Sequence, residues 1–452
     1  MKAKILFMAW LCAGTTTVVC GQEAEKMLPD RWTLRTCIDY ALQHNITLKQ
    51  QRISAESSEV DVKMAKAALF PSLSASVSQR VVNRPKSETS TIIDGDQVKS
   101  STSKTSYNGS YGIDANWTLF NGKRLNTLKQ QRLNSRIASL QVAESKNSIE
   151  EQVAQLYVQI LYATEAVEVN RATLEVSRAQ AERGAQLLQA GSIARSDLAQ
   201  LEAQVSTDNY QLVMAEATLQ EYKLQLKQLL ELDGEVEMAL DLPVPEDESV
   251  LTPLPAKADV YRSALALRPE IEAGKLDKEA ADLQVRIARA GYLPSLNLTA
   301  GIGTSHVNGN DFTFSEQVKQ NWNNSLGLSV SIPIFTQRQT KSAVEKAKLQ
   351  QQSTALALLD EQKTLYKTIE SLWLDANNAQ QQYAAASEKL RSTQVSYDLV
   401  NEQFSLGMKN TVELLTEKSN LLSARQETLQ AKYTALLNAA LLRFYQGEEI
   451  AL

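Results

Sequence analysis

The sequence predicts a mainly α-helical chain, duplicated internally, whose long antiparallel helices are joined to a transmembrane β portion of four strands. Three observations predict this: the scarcity of turn-forming residues, a repeat with a nearly constant offset, and two segments that alternate apolar and polar residues. The 452 residues include 17 glycines and 10 prolines, about 6% together against roughly 12% in ordinary globular chains. Few turns mean long elements, and 43% hydrophobic with 22% charged residues means amphipathic elements rather than disorder. Two histidines and three cysteines leave little material for a metal site or for histidine or thiol catalysis, so no metal, cofactor or enzyme activity is expected. A net charge of −5 gives no polybasic footprint for nucleic acid.

The chain opens with Lys2 and Lys4, an apolar run from Ile5 to Ala13, and small residues leading to Val19-Cys20-Gly21. This predicts a secretory signal peptide over 1–21, cleaved near Gly21/Gln22. Lipid attachment at Cys20 is the rival reading, but Val19 is bulky where a lipidation site wants a small residue. Cys12 and Cys20 leave with the leader, so Cys37 stands alone and no intrachain disulfide is expected. Beyond residue 21 no run of 18 apolar residues occurs, so any membrane crossing must use strands.

Ala68-Leu69-Phe70-Pro71-Ser72-Leu73 and Gly291-Tyr292-Leu293-Pro294-Ser295-Leu296 align at an offset of 223, as do Ala41-Leu42 and Ala264-Leu265. Downstream, Leu119-Phe120 matches Ile334-Phe335 at 215 and Gly191 matches Gly407 at 216. The extra residues of the first half fall in Asn83 to Lys104, a Ser/Thr-rich stretch that reads as a solvated loop. Each half therefore reads helix, Pro, two strands, long helix, Gly-containing turn, helix. The repeats are assigned to 22–232 (strand hairpin about 72–120, tip at 191) and 261–442 (strand hairpin about 295–335, tip at 407). A Pro-rich linker or equatorial segment at 233–260 separates them, and 443–452 forms a C-terminal tail.

In the first hairpin Tyr107, Gly109, Tyr111, Ile113, Ala115, Trp117 and Leu119 alternate with polar or small residues. In the second, Leu326, Leu328, Val330, Ile332 and Ile334 do the same, while Leu73 to Val81 and Leu296 to Ile302 alternate more loosely. Segments of about ten residues with period two and aromatic ends are what a membrane β-barrel strand requires, with Trp117 and Trp322 as candidate interface anchors. Four strands cannot close, and open edges in hydrocarbon would cost several kcal/mol per unpaired group. Oligomerisation is therefore expected, and twelve strands from a trimer is the smallest ring with an open lumen.

From Leu365 the apolar positions Ile369, Leu372, Ala376, Ala379, Tyr383, Ala386 and Leu390 follow steps of four and three, continuing to Thr393, Tyr397, Val400 and Phe404. Subtracting 216 gives Ile149, Val153, Leu156, Ile160, Ala163, Val167, Asn170, Leu174, Ser177, Ala181, Gly184 and Leu188. A 3.5-residue repeat packs along its whole length as a coiled coil. At about 1.5 Å per residue, the predicted helix from Asn121 to Ala190 is on the order of 105 Å long and must project far from a roughly 30 Å hydrocarbon layer.

This order of features resembles the TolC-like outer membrane efflux family over nearly the whole mature chain. The residues that carry the resemblance are Leu34 to Ile46, the paired Pro-Ser-Leu words, Trp117 to Arg124, the turn Gly191-Ser192-Ile193-Ala194-Arg195-Ser196-Asp197-Leu198, and Gly407 through Leu415. The resemblance implies a homotrimer in the Gram-negative outer membrane, with a twelve-strand barrel continuous with a twelve-helix periplasmic α-barrel and girdled by an equatorial domain. It implies the exit duct of a tripartite efflux or type I secretion system, a passive channel working with a periplasmic adaptor (membrane fusion) protein and an inner-membrane RND or ABC transporter. The chain has no Walker-type loop of its own. A non-conducting, envelope-spanning coiled-coil protein is the alternative.

By the same resemblance the tips hold the gate. Ser196 and Asp197 stand where relatives carry a hydroxyl and an acid linking to the neighbouring coiled coil. Phe404 stands where a tyrosine is often found, Lys409 in place of an arginine, and Glu413 at the first of two acidic entrance positions, with Thr416 at the second. Gly191, Ser192, Gly407 and Met408 form the expected adaptor-docking tips. A gate with fewer polar links than usual follows, because Phe404 has no hydroxyl and lysine cannot make bidentate contacts. Cys37 and His44 are too few ligands for a metal, and Asp94-Gly95-Asp96 reads as a turn rather than a calcium loop.

Overall fold

The computed structural model describes residues 31–451 apart from 84, 86–89, 95–96, 102–104, 235–236, 244–246 and 309–311. The expected leader, and Gly95 and Asp96, lie outside the described residues. After Trp32 the chain forms helices α1 (Leu34–His44) and α2 (Ile46–Ala67), split at Asn45, whose side chain accepts from Leu48 N at 3.1 Å and starts the second helix. Strand β1 (Ser72–Asn83), a small hairpin β2 (Ser90–Asp94) and β3 (Gln97–Ser101), and β4 (Thr105–Asn121) follow. Then come α3 (Arg124–Gln189) and α4 (Arg195–Leu229), the short α5 (Asp247–Val250) and α6 (Lys257–Leu267). The second half runs α7 (Pro269–Arg289), β5 (Ser295–Val307), α8 (Phe314–Gln320), β6 (Asn323–Ser331), α9 (Gln339–Ser405) and α10 (Thr411–Tyr445).

The 66 residues of α3 and 67 of α9 span about 100 Å each at about 1.5 Å per residue. Near the sheet they pack with α2 and α7, and toward the tips with α4 and α10, respectively. The shorter helices thus share the length of the long ones. The seam read from the sequence is buried: Ile149, Val153, Ile160, Ala163, Val167, Leu174 and Gly184 in α3, and Leu365, Ile369, Ala376, Ala379, Tyr383, Ala386, Tyr397 and Phe404 in α9. Small residues there let the helices approach, and at Gly184 a Cβ would come within 2.5 Å of Leu201 Cδ1 on α4.

Midway along the helices, Trp32, Tyr157, Leu226, Leu230, Ile271, Ile369 and Leu442 belong to the main core. Trp32 donates its N–H to Ala239 O at 2.9 Å and accepts from Asp241 N at 3.0 Å, tying the start of the chain to the segment between the halves. Arg268 lies 3.9 Å from the Tyr445 ring centroid and pairs with Glu151 at 2.8 Å and Glu270 at 3.0 Å. Its charge is buried but fully partnered, the condition for retaining it there. Cys37 is wholly buried, and His44 stacks on Tyr40 at 3.9 Å.

The sheet is antiparallel in the order β1-β4-β5-β6. Register lines up Ala75, Ile113 and Ile302 in one row, and Leu73, Ala115, Ala300 and Leu326 in another. These residues share one face. It is laid bare: Leu73 is 74% exposed, Val77 75%, Leu326 78% and Leu328 65%. The opposite face carries Ser74, Ser76, Ser78, Ser110, Asp114, Ser325 and Ser329, with Ser78 and Ser110 hydrogen-bonded at 2.8 Å. Among the described residues no strand lies beside the outer edges of β1 and β6.

Three expectations for the strands need correction. The Asn83–Lys104 stretch is not all loop, because β2 and β3 pair through it with Asp94 opposite Gln97. Thr91, Ile92, Ile93 and Val98 are the strand-forming residues that serine and threonine content masked. Leu119 drops out of the apolar row at a bulge between Thr118 and Phe120, so Phe120 faces Leu296 instead; one extra residue reverses the side from which the rest of a strand is read. Finally, β6 stops at Ser331, before Ile332 and Ile334, where Pro333 removes the next ladder donor.

Candidate functional site

The two helical hairpins end together in sequence terms, each at a glycine with φ of +72°. Gly191 N donates to Leu188 O and Ser192 N to Leu187 O, both at 2.9 Å; Gly407 N donates to Phe404 O at 3.0 Å and Met408 N to Gln403 O at 2.9 Å. These paired bonds satisfy the last carbonyls of α3 and α9, and the left-handed residue they need favours glycine. Nothing lies within 4 Å of the place a Cβ would take at either glycine, so backbone conformation alone makes the demand.

The next helix starts are built from acids. Asp197 Oδ2 accepts from Ala194 N at 3.1 Å. Asn410 Oδ1 accepts from Glu413 N at 2.9 Å while Glu413 Oε2 accepts from Asn410 N at 3.1 Å, a reciprocal cap. Lys409 Nζ donates to Glu413 Oε1 at 2.6 Å. The Lys409 hydrogen bond first, and the Asn410 N–H second, hold the Glu413 carboxyl below the usual glutamate range. Glu413 is therefore ionised and half-committed to its own chain.

Lys409 and Glu413 come together, whereas Asp197 turns back on its own helix. Ser196 and Ser192 are exposed. Phe404 is 3% exposed and packs with Leu201, Tyr397, Leu414 and Leu421 from three helices, so it acts as an apolar anchor between the hairpins. Thr416 donates to Val412 O at 2.8 Å within its own helix. Leu406, Met408 and Val412 stand out at the second tip, 68%, 70% and 59% exposed, an apolar surface with no counterpart among the exposed residues of the first tip.

Sequence reasoning missed a polar cluster just above these tips. Lys418 on α10 contacts both Ser177 Oγ on α3 and Asp208 Oδ2 on α4, and Ser177 also bonds Asp208. The Lys418 and Asp208 side chains are 6% and 3% exposed. Gln204 donates to Asp208 Oδ1 at 2.8 Å. One level nearer the tip, Gln180 on α3 donates to Tyr397 Oη at 2.9 Å and Asn401 Oδ1 at 3.1 Å on α9. Lone polar letters in α4 and α10 give no hint of mutual pairing; the one signal was Ser177, which like Asn170 is a polar residue on a mostly apolar seam.

Among the described residues no group of histidine, cysteine or acidic side chains could hold a metal ion, and no helix is long and apolar enough to cross a membrane. The chain matches the family described as "Outer membrane efflux protein" over residues 37–231 and 260–448. It is 25% identical over 440 residues to the outer membrane efflux protein BepC of Brucella suis, covering 94% of this chain and 87% of that protein. It is 24% identical over 296 residues to the alkaline protease secretion protein AprF of Pseudomonas aeruginosa, covering 65% of this chain and 60% of that one. Its fold superposes on the outer membrane protein VceC of Vibrio cholerae with a TM-score of 0.76 at 17% identity, covering 92% of this chain and 97% of that one. The overall fold is thus shared with VceC, and the chain belongs to the outer membrane efflux protein family, whose members are transport channels of the Gram-negative outer membrane and not enzymes.

Proposed function

We propose that three copies of this chain close their sheets into a twelve-strand barrel in the outer membrane and their helices into a periplasmic tunnel. The assembly is a passive exit duct for a tripartite efflux or type I secretion system. The carrying observation is the four-stranded sheet, which has one exposed apolar face, one polar face and two edges without a partner strand among the described residues. Hydrocarbon covers the first, water in a lumen wets the second, and only neighbouring copies can satisfy the third. A non-conducting coiled-coil scaffold would use the helices equally well but has no use for that face.

The tips are the entrance, gated by the segments around Ser196, Asp197, Phe404 and Lys409. The apolar Leu406, Met408 and Val412, with Ser192 and the two tip glycines, offer a docking surface to a periplasmic adaptor, and an inner-membrane RND or ABC transporter supplies the energy. Three copies of Glu413 around the axis favour cations, although each is partly neutralised by Lys409. Outer-membrane extraction, unheated gel electrophoresis and planar-bilayer recording test this reading. A trimer that conducts, with Glu413→Gln lowering cation selectivity, is expected; a water-soluble monomer without conductance would overturn it.

A further inference from the structure

The buried cluster above the tips draws on all four helices of the two hairpins. Ser177 and Gln180 come from α3, Asp208 from α4, Tyr397 and Asn401 from α9, and Lys418 from α10. We propose that these residues weld the two hairpins of one chain into a single rigid unit, so that movement opening the entrance is confined to the short segments below them. The inference rests on reading the tips as the gated end.

Ser177 is 14 residues from Gly191 and Lys418 is 11 from Gly407, so the weld sits about 16 to 21 Å above the tips at about 1.5 Å per residue. Parting Lys418 from Asp208 at this level would strand two opposite charges on side chains that are almost wholly buried, whereas the pair below it behaves differently. Lys409 and Glu413 are 36% and 42% exposed, so water replaces their contact at little cost. Buried charge pairs are worth keeping chiefly when they fix one arrangement among several. A seam rich in alanine and leucine repeats itself every heptad and specifies the mutual setting of the hairpins weakly; the cluster specifies it once. It has no echo in the repeat. At the 216 offset, Ser177, Asp208 and Lys418 correspond to Thr393, Ala424 and Glu202, and Ala424 is fully buried without a polar group. The weld is thus a position-specific device, one per chain.

Pulsed electron spin resonance on nitroxide pairs tests this in the full-length protein, with labelled chains diluted by unlabelled copies. One pair, Glu175→Cys with Ser423→Cys, reads the level of the cluster, and the other, Ser192→Cys with Met408→Cys, reads the tips. Cys37, the cysteine outside the expected leader, stays unlabelled because burial shields it and pushes its thiol up to about 12. In the native background the upper pair should give a distance distribution at most half as wide as the tip pair. Equal widths would overturn the weld without any change to the cluster. With Lys418→Met and Asp208→Leu together, an apolar pair of similar volume, the upper distribution should widen to match the tips; an unchanged width would also overturn it. Bilayer recordings on the same samples separate the two readings: absence of conductance refutes the duct, while the label widths still decide the weld.

Discussion

Placing an arginine on the apolar face of the sheet tests the membrane reading most directly. Ile113 lies at the centre of β4, between Ala75 of β1 and Ile302 of β5, and is 49% exposed. At the bilayer midplane an arginine on the lipid side of a barrel costs about 2–4 kcal/mol. Three copies in a ring make that roughly 6–12 kcal/mol per assembly, comparable with the whole stability of a domain. Ser110, three residues away on the other face and bonded to Ser78, would project an arginine into the lumen, where water solvates it. Ile113→Arg should therefore abolish, and Ser110→Arg spare, the trimer seen on unheated gels of outer-membrane fractions. Equal tolerance of both, or greater damage from Ser110→Arg, would refute the assignment of the faces.

Lys418→Ala leaves Asp208 buried without its cation and should destabilise the helical hairpins by about 3–5 kcal/mol, read by denaturant unfolding followed by circular dichroism. Gly184→Leu gains at most about 1 kcal/mol of helix propensity but drives side-chain atoms into Leu201, 2.5 Å from the added Cβ; overpacking at about 1–3 kcal/mol wins, and a lower thermal midpoint is expected. The Glu413 carboxyl sits below its ordinary range through Lys409 and Asn410, so its stabilisation of the second tip is full above the unfolded value of about 4.3 and is lost as pH falls through the lower folded value. The protection of the Glu413 and Leu414 amides, the exchange rate corrected for its intrinsic dependence on pH, should accordingly stay constant from about pH 7 to 5 and fall below about pH 4. In Glu413→Gln that acid-dependent step should vanish.

Much of this architecture is written in periodicity. Seam positions such as Val153, Ile160, Ala376 and Tyr383 are buried where the four-and-three spacing puts them, because a helix that packs along its whole length leaves no freedom in its pattern. The alternation of Tyr111, Ile113, Ala115 and Trp117 is equally plain, since successive residues of a strand point to opposite faces and only one face of this sheet is apolar. What the sequence hides is pairing between distant single letters. Asp208 and Lys418 look like any surface charges in amphipathic helices, and only their convergence at Ser177 gives them a common environment. The same limit concealed α8: Gln317 on it and Asn321 just after it bond Val307 N at 2.8 Å and Ser305 O at 2.7 Å, edge groups of β5 past Gly303, which pairs with Asn323, the first residue of β6. A cap for a sheet edge has no period to betray it.

The duplication of the chain carries one last consequence. Two hairpins per copy, each turning on a left-handed glycine, mean that a ring of three copies would present six ends. The ends are of two kinds, one bearing Ser192-Ile193-Ala194 and the other Met408-Lys409-Asn410, with Leu406 and Val412 bare beside the second. A partner with three-fold order could choose one kind and ignore the other. A partner built of six identical parts would have to accept both, gripping greasy side chains at alternate posts and hydroxyls or bare backbone at those between.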